Sequence, residues 1–188
     1  MGFSIHYSGT IDRTEDIPQL VEELTDIAAS MDWTVQSING DESDPNFLGG
    51  IVNPKGDCEP LCFIFDRDGR LRGLADLLNE QMEPTENSFS AATKTQFSEI
   101  ETHVWIIGLL RYLKRRYLSN LQVSDEGEYW ETEDLDKLRH KKQFLQGMID
   151  QIAGQLSESE PLLEGFTVDD IIARIKTIVK RLPRDSGL

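Results

Sequence analysis

The segment Asp125-Glu-Gly-Glu-Tyr-Trp-Glu-Thr-Glu-Asp134 concentrates carboxylates beside two aromatic rings. Carboxylates two or three residues apart in a loop can ligate a hard cation through oxygen, or divide into a general acid and a general base. Asp125, Glu126 and Glu128 are the candidates for that work. Tyr129 and Trp130 would form its apolar wall, and Glu131 is a further binding side chain. The plainer account is a charged lead-in to a helix, whose N-terminus favours acids, with the two aromatics sealing a core.

Histidine is the side chain that changes charge nearest neutrality. His103 falls within the apolar arc of Ile106, Ile107 and Leu110, so helical spacing turns it inward. His6 lies on a first strand that could cross the same helix. Two inward imidazoles near a carboxylate would make an acid–base or metal pair, whereas one alone on an apolar face is more often hydrogen-bonded core. Lys94, Thr95 and Gln96, at a strand-to-helix corner, offer an anion site at a helix N-terminus without the usual glycine-rich loop. Arg111, Lys114, Arg115 and Arg116 complement the dipole at a helix C-terminus and are expected to pair with the protein's own acids. Cys58 and Cys62 read as reduced structural thiols, since an extended spacer would hold them about 13 Å apart. No cofactor is called for, nor a metal ligand set. Motifs for serine hydrolases, nucleotide-binding loops and zinc proteases are absent.

Positioning such groups requires an α+β framework: an antiparallel or mixed sheet packed on a long central helix, followed by a C-terminal helical hairpin. Strands are expected over residues 3–11, 33–38, 49–53, 61–65, 89–97 and 121–124. The stretch Leu61-Cys-Phe-Ile-Phe65 is apolar on both faces, as a central strand is, and Asp66 to Gly69 carries a tight-hairpin signal. The same stretch fails as a calcium loop, because Ile64 and Ala75 would occupy positions that need carboxylates. Asp16 and Pro18 announce a helix bearing Leu20, Val21, Leu24, Ile27, Ala28 and Met31. The central helix is expected from Ser98 to Leu118, opened by a Ser98/Glu101 capping box and apolar nearly all round, with Trp105, Leu109 and Tyr112 covering much of what its main face leaves. Residues 1–133 form the core domain on this reading. Residues 134–188 form an αα-hairpin that packs on it or on a second subunit, and that could make a homodimer.

The chain has 188 residues and a formal charge of −15. That charge is lopsided: residues 1–110 hold 6 Lys/Arg against 20 Asp/Glu, and residues 111–188 hold 13 against 14. Such a field repels nucleic-acid backbones and would suit a basic protein partner or a cation. No apolar run reaches the ~20 residues of a membrane span, and the first residues lack a secretory leader, which places the protein in a bacterial-type cytoplasm.

Lys94-Thr-Gln-Phe97, His103, Leu109-Leu110 with Leu113, Tyr117 and Val123-Ser-Asp-Glu-Gly-Glu-Tyr-Trp-Glu-Thr132 together resemble a family of bacterial hypothetical proteins with no known activity. The resemblance covers residues 1 to about 156. It implies that Lys94, His103 and the acidic loop share one spatial neighbourhood. The reading that emerges is a cytoplasmic binding or regulatory protein that meets a partner through an acidic surface. The alternative is an acid–base or metal-assisted hydrolase built on His103, His6 and the Asp125–Glu128 loop.

Overall fold

A computed structural model describes residues 3–40, 47–74 and 90–157. The second helix of the expected C-terminal hairpin lies outside the described residues. The chain divides into two compact units after Leu138. The first carries strands β1 (Ser4–Ser8), β2 (Thr34–Asn39), β3 (Leu48–Asn53), β4 (Leu61–Phe65), β5 (Leu71–Arg72), β6 (Ser90–Lys94) and β7 (Gln122–Asp125). Its helices are α1 (Ile17–Ser30), α2 (Ile100–Arg116) and the single turn α3 (Tyr129–Thr132). Helix α4 (Leu135–Ser157) begins in the first unit and supplies the described part of the second. The α+β class is as expected.

All strand pairs are antiparallel, but they form two sheets rather than one: β6-β1-β7 and β2-β3-β4-β5. Strand β4 is interior and buried along its whole length, as its unbroken apolar run requires. The hairpin from β4 to β5 closes on Asp66, whose carboxylate accepts the Asp68 and Arg70 amides and pairs with Arg72. Gly69 turns there at φ 73°, where a Cβ would come within 2.9 Å of Ile11.

The two sheets are joined by the chain itself. Beyond β1, the Gly9 carbonyl accepts the Leu71 amide and the Ile11 amide donates to Gly69, so one run of chain serves both sheets. At the other end the Glu59 amide donates to the Lys94 carbonyl. Between these ties Tyr7 reaches from β1 into the larger sheet. Its hydroxyl accepts the Cys62 amide at 2.9 Å, where the two-residue β5 no longer accompanies β4. Burial raises the pKa of the Tyr7 phenol, which keeps it protonated.

Helix α2 starts one residue later than the Ser98/Glu101 capping box predicts. That box does not form: Glu99 occupies the N-cap position, and the Ser98 hydroxyl donates to the Thr95 carbonyl instead. His103, Ile106, Ile107, Leu109, Leu110 and Leu113 are buried. Trp105 departs from expectation. It is 58% exposed and lies on the stripe of Glu101, Gly108 and Arg115, because 101, 105, 108 and 115 fall within 80° of one another at 100° per residue. One side of the helix therefore faces solvent. Helix α1 packs on β2 and β3 and is clamped to α2 through Glu23. That carboxylate accepts from Arg116 and from the Tyr112 hydroxyl, which together hold its pKa down to about 2.

Tyr7→Phe would leave the Cys62 amide without its acceptor while preserving the ring. Urea denaturation is expected to show a loss of about 1–3 kcal/mol, the cost of an unmet buried donor. A loss below ~0.3 kcal/mol would mean that the hydroxyl bridge does not join the sheets.

Candidate functional site

Asp125 is the last residue of β7, and its side chain turns inward rather than toward a surface loop. One oxygen accepts the Gly127 amide at 2.7 Å; the other accepts the Tyr129 and Trp130 amides at 2.8 and 3.0 Å. The carboxylate thus satisfies the free amides of the turn that opens α3, in the manner of an N-cap. Its fourth partner is His103 Nε2, 3.2 Å away. Burial works against ionisation of Asp125. The hydrogen bond and charge of His103, with the Trp130 and Gly127 amides, outweigh it and leave the pKa below the usual carboxylate value.

His103 is fully buried. An ionised carboxylate can only accept, so Nε2 is the donor to Asp125. Nδ1 lies 2.8 Å from the Thr95 hydroxyl, and that hydroxyl is also 3.2 Å from the Phe3 carbonyl. The Phe3 ring stacks obliquely on the imidazole, with centroids 5.2 Å apart. Gly127 closes the remaining side. A Cβ there would stand 3.0 Å from His103 Nε2 and 2.7 Å from Leu138 Cδ1. Carboxylate, imidazole and hydroxyl therefore line up as they do in a nucleophilic triad. Thr95 itself is fully buried, so its oxygen meets no substrate. The line is a polar core that fastens the end of β6, helix α2 and the turn after β7 to one another.

The other candidates are placed differently. His6 alternates with the buried Ile5 and Tyr7 and points to solvent, away from His103. Glu126 is exposed and accepts the Ser4 amide at 2.7 Å. Glu128, at φ 58°, pairs with Lys137. Glu131 is exposed, Gln96 is buried, and Lys94 is half-buried with its ammonium 5.6 Å from the ring of Phe97. Tyr129 and Trp130 pack against the core as partial seals. Trp130 lies under two cations of α2, Arg111 at 5.5 Å and Lys114 at 5.7 Å, while Arg111 also donates to the Trp130 carbonyl and pairs with Glu133. The acidic segment is thus folded onto the central helix. Among the described residues, no three His, Cys, Asp or Glu side chains converge as a metal site would need.

Thr95 and Gly127 complete this constellation; Thr95, read from the sequence as part of an anion site, is instead a sealed partner of His103, and Gly127 does not stand out in the sequence. The signal for Thr95 is its spacing of eight from His103 across a strand-to-helix corner. For Gly127 it is a glycine immediately after an acidic pair, where a turn must pass close to another group.

No family model, curated protein or solved structure matches this chain.

Asp125→Asn is expected to cost about 3 kcal/mol at pH 7, since it replaces the acceptor shared by His103 and three backbone amides with a group that itself carries donors. Because the folded-state pKa of Asp125 is depressed, its charged form stabilises fully above pH ~4 and ceases to as pH falls through the folded value. The gap between wild type and variant in urea denaturation should therefore narrow as pH falls below about 4; a gap that stays constant would show that the charge is not its source. Gly127→Ala should cost about 2 kcal/mol or more at any pH, through the collision with Leu138 and His103.

Proposed function

We propose that the chain is a cytoplasmic binding or regulatory protein whose acidic surface meets a basic protein partner. The observation that carries this reading is a division within the acidic segment itself. Asp125 is committed to the core, while Glu126 and Glu131 are left at the surface. Beside Glu126 lies an apolar anchor. Ser4 bonds to Glu126 and pairs with Lys94 across the strands, and Lys94 leans on Phe97, whose ring is 58% exposed. An exposed aromatic with an exposed carboxylate two residues away across the strands, by way of Lys94 and Ser4, is suited to lysine- or arginine-rich segments, whose charges pair with the acid and whose stems pack on the ring. The charge of −15 supports a protein rather than a nucleic acid as partner. The hydrolase reading draws no support from a histidine, a threonine and a carboxylate that share a sealed interior. The family resemblance adds no activity to either reading.

Capture from bacterial lysate at low and high salt, followed by mass spectrometry, tests the proposal. A basic protein should be retained at ~50 mM salt and lost at ~500 mM, where charges at the surface are screened within about 4 Å. Phe97→Ala and Glu126→Gln with Glu131→Gln should each weaken retention without changing the thermal midpoint by more than ~2 °C. Retention that is equal at both salts, or indifferent to these substitutions, would overturn the acidic-surface reading.

A further inference from the structure

The exposed stripe of α2 has features unrelated to the Phe97 face. Trp105 stands out at 58% exposure, and Gly108, one turn on, faces solvent with no atom within 4 Å of where a Cβ would lie. Glycine weakens an exposed helix interior relative to alanine, so helix formation alone gives no reason for it there. Glu101 and Arg115 lie on the same stripe, each seven residues from Gly108, and neither makes an ion pair among the described residues.

We propose that this stripe docks on the same stripe of a second copy of the chain, with the two α2 helices antiparallel about a two-fold axis at Gly108. The argument is charge complementarity. A two-fold axis requires the face to be complementary to itself, so residues equally far before and after the axis must match. At 1.5 Å per residue, Glu101 and Arg115 lie about 10 Å to either side of Gly108, which sets each acid opposite the other copy's base. Their azimuths differ by only 40°, so both remain on the contact line. Trp105 is thrown to one side of that line, and the residue of the copy at matching height on that side is Tyr112. Paired glycines at the crossing let the helices approach closely enough for the rings to touch. The acid at the N-terminal end and the base at the C-terminal end give the antiparallel orientation; a parallel one would oppose like charges. This interface uses none of Phe97, Glu126 and Glu131 and stands without the proposed function.

Sedimentation equilibrium on the full chain, from about 1 to 500 µM at low salt, is the test. A monomer–dimer equilibrium is expected within that range, as for other small contacts. Glu101→Arg alone and Arg115→Glu alone should each weaken it at least tenfold, and the two together should restore it. Trp105→Ala should also weaken it tenfold or more. Gly108→Leu should raise the thermal midpoint of the monomer while abolishing the dimer, a pair of effects that a purely structural glycine would not show. A chain that is monomeric at every concentration overturns the proposal. So does a dimer indifferent to these substitutions, or one that the double reversal fails to restore.

Discussion

One buried carboxylate fastens the turn after β7 to the central helix. Asp125 gathers three backbone amides and an imidazole nitrogen within 3.2 Å. Each of those groups would be an unmet donor inside the protein without it. Because the amides belong to the turn after β7 and the imidazole to α2, the carboxylate fixes where the acidic segment lies. Thr95 extends the same line to β6, and the Thr95 amide carries it to Phe3 at the start of β1. The path of the chain around α2 follows from these bonds together with the apolar contacts of Tyr129 and Trp130.

The same arrangement decides what the segment is available for. A carboxylate with every lone pair engaged and a histidine without solvent are well placed to fasten and poorly placed to react. The neighbouring acids escape that commitment because β7 ends at Asp125: Glu126 lies on the exposed side of the turn that follows, and Glu131 on the outer face of the single turn α3. Exposure at the surface and order in the interior thus fall to different residues of one short stretch. A partner could engage Glu126 and Glu131 without disturbing the bonds beneath them.

Much of this was legible in the sequence, and the exceptions have physical causes. The apolar run of β4, the Asp–Gly turn that follows it and the inward direction of His103 all express local rules of strand, turn and helix. Trp105 was misread because an aromatic residue in an apolar helix suggests core, although its angular position beside Glu101 and Gly108 said otherwise. The capping box failed because the Ser98 hydroxyl found a carbonyl acceptor in the preceding turn, a competition that the spacing of Ser98 and Glu101 does not reveal. The junction of the two sheets depends on a hydroxyl from β1 meeting an amide in β4, residues 55 apart in the chain. That the first acid of the cluster would turn inward and the next outward depended on where β7 ends, which is a matter of one residue.

The Thr95 hydroxyl lies within reach of both His103 Nδ1 and the Phe3 carbonyl. Asp125 holds the other ring nitrogen, so the imidazole is gripped at both ends and its ring cannot turn over without breaking a bond at each. The latch therefore fixes how α2 is rotated about its own axis as well as where it lies, a register that apolar side chains alone would leave freer to slip.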